Sequence, residues 1–299
     1  MISALVIDGD QILCEKTATD WLPFGLNIPA SSDDHKLSVM ESEEAVNSEG
    51  FISLHPTDHG QNQAKNLKAQ SSDRISAAVS LDYLRARHLT VPKSASFIPF
   101  RKLIMSLPTA YYQDLSAAMQ LLRWQAHTRF CSRCAAALTP HPSERALLCA
   151  NCKLTHYPRI QPCVITVVTR ANPQTGVTQI LLAHHHRYGK PDTDPQYGLI
   201  AGFVEVGESL EQAVQREINE EVGLAVSNIR YLGSQQWPYP SNLMAAFQAE
   251  FDSGDICVEL AELSHADFFD ITDLPKIPSK GSIAFEIIQQ VIEQDRHSV

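Results

Sequence analysis

Glu217, Glu220 and Glu221 stand at i, i+3 and i+4, so a helix through them crowds three carboxylates onto one face. Like charges so placed repel each other and weaken the helix. Divalent cations such as Mg2+ or Mn2+ resolve the conflict, because they prefer oxygen ligands and bridge readily to phosphate oxygens. The implied chemistry is binding of divalent cations that can bridge to phosphate. Arg216, one residue ahead of the set, can pair with a neighbouring carboxylate and orient it. An acidic helix face in isolation is commonly just a solvated surface. Here it comes with glycines and an arginine at fixed offsets, which argues against that plain reading.

A second set is made of sulfur. Cys131, Cys134, Cys149 and Cys152 form a C-x2-C, x14, C-x2-C pattern. Each pair places two thiolates on one tight knuckle, and two knuckles complete a tetrahedral site for Zn2+. Four protein ligands leave no open position, so such a zinc is structural. Ribbons of this kind often bind nucleic acid, but the absence of a basic face favours a plain staple. Cys14, Cys163 and Cys257 are isolated and are expected as small core residues.

The elements that must position these groups can be read from local signals. Gly202 and Gly207 permit a loop that side chains would obstruct. Ser209 with Gln212 suits a capping box, and Gly223 suits the end of the helix between them. Ala213, Val214 and Ile218 then face a core. Strands are expected at Val164–Thr169, Gln179–Ala183, Ile229–Ser234 and Leu243–Phe251, with a short one at Phe268–Asp270 and a final helix at Ile283–Glu293. His184, His185 and His186 follow a strand, where neighbours point to opposite faces, and are expected to be mainly solvated, with an approach of one of them to phosphate left open. His141 and His156 are expected at the surface rather than as ligands.

Upstream, Ile2–Ile7 and Gln11–Cys14 flank Asp8-Gly9 and read as a hairpin. Ala30 to Asp73 is polar and reads as strands with long loops. Apolar content rises from Ile75 to Leu107, and Asp114–His127 reads as a helix with Leu115, Met119, Leu122 and Ala126 on one face. The expected division is an N-terminal α/β domain at 1–127, a zinc ribbon at 128–158 and an α+β catalytic domain at 159–296.

The chain has 299 residues, 44% of them hydrophobic, so ordinary cores can be buried. Its formal net charge of −10 argues against a non-specific nucleic-acid binder. It also means that an anionic substrate must be held by local cations rather than by bulk electrostatics. The first residues lack a basic region followed by an apolar run, and no stretch approaches the roughly 20 apolar residues of a membrane span. No signal peptide and no membrane association are expected, and the expected location is cytoplasmic.

The pattern G-x5-E-x7-R-E-U-x-E-E-x-G-U, with U apolar, is the Nudix box. This sequence matches it at Gly202, Glu208, Arg216, Glu217, Ile218, Glu220, Glu221, Gly223 and Leu224. The resemblance implies the Nudix fold, a mixed sheet sandwiched between helices, and hydrolysis of a nucleoside diphosphate linked to another moiety. It implies that Glu217, Glu220 and Glu221 carry the metals.

Downstream, Ser234, Gln235, Gln236, Trp237, Pro238, Tyr239, Pro240 and Ser241 resemble the SQPWPFPxS signature of NADH pyrophosphatases. Gln236 replaces a Pro, Tyr239 replaces a Phe, and the spacer before the last Ser is missing. The four-Cys ribbon precedes the box as it does in that family, although Ser132 and Ala135 occupy its usual glycine sites. The resemblance is strong over about Phe130 to Glu293. It implies a metal-binding role for Glu262, with Glu259 as the alternative. It also implies substrate contacts from the signature residues, Glu144, Ala201, Ala284 and Arg101. Tyr157 and Phe203 would stack on a base, one from each subunit of a homodimer. The implied reaction is hydrolysis of NADH or NAD+ to NMN(H) and AMP, with a proton accepted by Glu220, Glu221 or Glu262. The same bond is cut when an NAD cap is removed from RNA. Two rivals stand beside it: a Nudix hydrolase of ADP-ribose or another nucleotide sugar, and a non-catalytic module that senses a dinucleotide.

Overall fold

The computed structural model describes residues 2–16, 21–23, 25–28, 51–53, 77–86, 88–107, 109–188 and 195–298. The polar stretch from Ala30 to Asp73, apart from Phe51–Ser53, falls outside them. The chain divides into two compact units, Met1–Arg159 and Ile160–Val299.

The first unit opens with β1 (Ile2–Asp8), β2 (Gln11–Lys16), β3 (Trp21–Pro23), β4 (Gly25–Ile28), β5 (Phe51–Ser53) and β6 (Ala77–Ser80). There follow α1 (Leu81–Ala86), β7 (Ala95–Pro99), α2 (Phe100–Leu103) and α3 (Thr109–His127). β1 and β2 form the expected hairpin, turned at Gly9 with φ +62°, a conformation that suits glycine. The sheet runs β3-β2-β1-β6-β5, with β4 also on β1 and β7 on β2, and the β1–β6 pair is parallel. α3 packs against β6, β5 and β1 with Leu115, Met119 and Leu122 buried. Three short antiparallel strands close the unit, β8 (Leu138–Pro140), β9 (Leu147–Cys149) and β10 (Thr155–His156).

The second unit contains β11 (Gln161–Ala171), β12 (Thr178–His185), β13 (Ile200–Phe203), α4 (Leu210–Val222), β14 (Ala225–Trp237), β15 (Asn242–Ser253), β16 (Leu263–Asp270) and α5 (Ile283–Ser298). The sheet order is β14-β15-β11-β12-β16, with β13 on β11 and a parallel β11–β15 pair at its centre. It is mixed, as the resemblance implies. Central position explains the composition of β11, where Cys163 to Thr169 are all buried. Val164 and Val168 face α4, whose Ala213, Val214, Ile218 and Val222 complete one core. Ile165 and Val167 face α5, whose Ile287, Ile288 and Val291 complete the other. Each fully buried aliphatic side chain here is worth about 1.5–3 kcal/mol. The sheet is thus held between two helices, and α4 cannot roll without exposing its apolar stripe. Among the described residues no helix is long and apolar enough to cross a membrane.

Candidate active site and zinc ribbon

The acidic set is built by a strand, a loop and a helix in succession. β13 pairs antiparallel with β11, which sets Gly202 opposite Val164. The chain then turns through Gly207 at φ +94° into Ser209, whose side chain accepts from the Gln212 N–H while the Gln212 side chain accepts from the Ser209 N–H. The predicted capping box is therefore complete. Gly223 ends α4 in the left-handed conformation with φ +74°. Fixed at both ends and wedged on its apolar face, α4 presents its carboxylates in a set rotation.

Arg216 organises the cluster. Its Nε and Nη2 donate to the two Glu208 oxygens at 2.5 and 2.9 Å, a bidentate fork. Its Nη1 donates to Glu217 at 2.8 Å and to Glu220 at 3.0 Å, and Nη2 also reaches the Phe203 carbonyl at 2.8 Å. This fork holds the Glu208 carboxyl down to about 2. Gly202 leaves the space that Glu217 needs, since a Cβ there would lie 1.9 Å from the Glu217 carboxyl carbon. Any side chain at this position must displace that carboxylate.

Glu221 differs from its neighbours. It is 4% exposed, and its Oε2 finds no hydrogen-bond partner among the described residues. Burial, then the charges of Glu262 and Glu217, push its carboxyl up to about 8. Glu217 is also raised, by burial first, with Arg216 opposing. A buried, orphaned carboxylate oxygen beside other carboxylates costs free energy until a cation fills the gap. The donor set is all oxygen, which fits Mg2+ or Mn2+. Glu262 acts electrostatically on both Glu217 and Glu221. The Glu259 carboxylate accepts from the Ala261 N–H at 3.0 Å.

This has a consequence for stability. A carboxyl raised in the folded state stabilises while protonated, and that contribution is lost as pH rises through the folded value. His185, held down to about 4 by burial, works in the opposite sense, but its window closes by pH 6.5. Protein with its zinc but without Mg2+ or Mn2+ should therefore lose on the order of 1–2 kcal/mol of stability between about pH 6.5 and 8. Thermal melts should show a fall of a few degrees. Glu221→Gln should flatten the curve; an unchanged slope would mean that another group sets it.

The other expected site residues are placed as follows. Phe203 is 49% exposed beside the Arg216 fork, and Ala201 lies at the edge of the α5-side core. In the signature, Ser234 to Trp237 pair along β15 from Ala245 to Asn242. The Trp237 and Tyr239 rings are 5.4 Å apart. Pro238 is buried, Gln236 and Pro240 are exposed, and the Ser241 hydroxyl donates to Gln161 at 3.1 Å. Both ends of the Gln235 amide are engaged, donating to the Gly281 carbonyl and accepting from the Ile283 N–H, so it ties β14 to the start of α5. Ala284 is buried in the α5-side core. In the first unit, Arg101 is exposed on α2, and the Tyr157 hydroxyl donates to Glu144 at 2.5 Å, bringing two expected contact residues together.

Two expectations are corrected. His184 and His185 are 0% and 3% exposed, because β12 lies between β11 and β16 with both faces covered; only His186 is exposed. The His184 Nδ1 lies 2.6 Å from the Ser264 hydroxyl. Cys14 and Cys163 are buried as expected, but Cys257 is exposed, since its segment lies over the end of α4 with the Cys257 N–H bonded to the Val222 carbonyl. One charged residue escaped the sequence reading. Arg187, just past β12, acts on Glu221. No local pattern marks it, because its relation to the box exists only in three dimensions.

The four ribbon sulfurs lie within 4.8 Å of one another. The Cys131–Cys152 and Cys134–Cys149 sulfurs are each 3.5 Å apart. A zinc tetrahedron with bonds of about 2.3 Å has edges of roughly 3.8 Å, so the set fits Zn2+. Backbone N–H groups of Arg133 and Cys152 point at the Cys131 and Cys149 sulfurs. The glycine departures are absorbed: Ala135 takes φ +57°, and Lys153 takes the matching φ +63° on the other knuckle.

Residues 160–291 match the NUDIX domain family, and residues 126–157 match the NADH pyrophosphatase zinc ribbon domain family. The chain is 40% identical over 195 residues to the NAD-capped RNA hydrolase NudC of Enterobacter sp. (strain 638), covering 64% of this chain and 71% of that protein. It is 38% identical over 193 residues to the protein of the same name from Escherichia coli (strain 55989 / EAEC), with the same 64% and 71% coverage. Among solved structures, a NUDIX hydrolase from Nitrosomonas europaea is similar at 22% identity and a TM-score of 0.45, covering 56% of this chain and 93% of that one.

Proposed function

Because this chain belongs to the NADH pyrophosphatase family of the Nudix hydrolases, we propose that it hydrolyses the diphosphate bond of NADH or NAD+, giving NMN(H) and AMP. The same reaction removes an NAD cap from RNA. The observation that carries this reading is Glu221, buried with an unsatisfied carboxylate oxygen beside Glu217 and within the field of Glu262. Such a group calls for a divalent cation, and a cation held there needs a polyanion to face.

Glu217, Glu220, Glu221 and Glu262 would hold Mg2+ or Mn2+. When bound, the ions supply charge neutralisation at the phosphate oxygens and a lower pKa for attacking water. The chain supplies the rest. Arg216 fixes Glu217 and Glu220 through its Nη1, so neither carboxylate swings when substrate arrives. Glu220 is open to solvent, with its side chain 59% exposed, and is placed to take a proton from water. Phe203 offers an exposed ring for a base, and the region from Ser234 to Ser241 supplies the remaining contacts.

The reading keeps three parts in the chain, an N-terminal domain to residue 127, a ribbon at 128–158 and the hydrolase at 159–296. It includes homodimer assembly and a cytoplasmic location, where thiols stay reduced and available to zinc.

The test is a product assay. Purified protein is given NADH, ADP-ribose or NAD-capped RNA with Mn2+ or Mg2+, and products are separated by chromatography. NMNH and AMP from NADH are expected. Faster cleavage of ADP-ribose would move the preference to sugar nucleotides, a shift that Gln236 in place of the signature Pro would explain. Binding without cleavage would replace the hydrolase by a sensor.

A further inference from the structure

Arg216 is the evident cation in the site, yet its guanidinium is spent. It makes two bonds to Glu208 and one each to Glu217, Glu220 and the Phe203 carbonyl. A diphosphate entering this cluster meets the carboxylates Glu217, Glu220, Glu221 and Glu262, so a further cation beside them favours its binding. Arg187 is a cation whose charge acts on this cluster.

Arg187 lies in a single 3-10 turn, His186–Tyr188, that leaves β12. The turn is docked on the loop that carries Glu262. The His186 N–H donates to the Glu262 carbonyl at 3.1 Å, and the His186 Nε2 lies 3.1 Å from the Leu260 carbonyl. The backbone of Arg187 is therefore fixed relative to one of the acidic residues. Its charge acts on Glu221 on α4, and also on Cys163 on β11 and His185 on β12. Arg187 is also exposed, so a ligand in the cluster can reach it.

We propose that Arg187 is a substrate-binding residue of this site, contacting a non-bridging oxygen of the diphosphate. The inference rests on the reading of the site as a diphosphatase. It assigns Arg187 to the substrate, and Arg216 to positioning carboxylates. A planar guanidinium suits this task, since it stays charged and presents paired donors to phosphate.

The experiment measures kcat and KM for NADH with saturating Mn2+, and Mn2+ affinity by electron paramagnetic resonance, in wild type, Arg187→Gln and Arg187→Lys. Arg187→Gln should raise KM about tenfold or more with kcat within about threefold, the pattern of lost uniform binding. Mn2+ should bind as tightly as in wild type or more tightly, since a positive charge has left the neighbourhood. Arg187→Lys should fall between. An unchanged KM would overturn the assignment. So would a rise in KM matched by an equal weakening of Mn2+ binding, because Arg187 would then act on the metals. If Arg187→Gln does not fold, the Lys variant decides, with at least a threefold rise in KM required. Wild type that fails to cleave NADH at all would count against the proposed function instead, so the two failures are distinguishable.

Discussion

Glu220→Gln is expected to lower kcat for NADH about a thousandfold or more, while the protein melts at nearly the wild-type temperature. The catalytic half of this rests on charge. Glutamine keeps the shape and can still accept the Arg216 bond that now spans 3.0 Å, so the side chain need not move. What it loses is the negative charge that holds a cation and the basicity that takes a proton, and either loss removes transition-state stabilisation rather than substrate binding. KM should therefore change little while kcat collapses. The stability half rests on exposure. With its side chain 59% exposed, Glu220 buries little, and removing its charge relieves repulsion from Glu217. Steady-state kinetics with Mn2+ beside a thermal melt make the test. Turnover within tenfold of wild type would show that this carboxylate is dispensable, and the acidic helix face would revert to a solvated surface.

How much of this was legible in sequence follows from how local each feature is. The capping box at Ser209, the stop at Gly223 and the clustering of Glu217, Glu220 and Glu221 all depend on one helical turn or two, and all are found as read. The central strand was visible as an apolar run from Val164 to Thr169, and it extends two or three residues further at each end because its neighbours β15 and β12 supply the partners. The sequence leaves open which carboxylate Arg216 pairs with. Glu208 wins because the loop through Gly207 returns it to the helix. The burial of His184 and His185 is hidden from the sequence for the complementary reason. Their alternation was correct, but alternation says only that two residues face opposite ways, and a strand covered on both faces buries both. The orphaned oxygen of Glu221, the engagement of Gln235 with the start of α5 and the reach of Arg187 are properties of packing between distant segments. No spacing within the chain encodes them visibly.

The ribbon gives the other large effect. Replacing Cys131 and Cys134 by Ser should abolish zinc binding and unfold the ribbon. Its strands have three, three and two residues, and such a piece cannot bury enough apolar surface to hold itself together. Between Cys131 and Cys152 the buried residues are only Cys131, Ala146, Leu147 and Cys149, and two of these are the sulfur ligands themselves. The fold of this segment is therefore bought by the metal, whose binding in comparable fingers is worth about 10–16 kcal/mol. Part of that free energy is needed locally. Ala135 at φ +57° and Lys153 at φ +63° hold a conformation disfavoured for residues with a Cβ, at a cost of about 1 kcal/mol each. Removing two thiolates leaves these strained turns with nothing to close on. Elemental analysis should find zinc absent from the double variant where wild type carries one per chain, and limited proteolysis should cut between Cys131 and Cys152. Zinc content equal to wild type would refute the assignment of these four sulfurs to the metal.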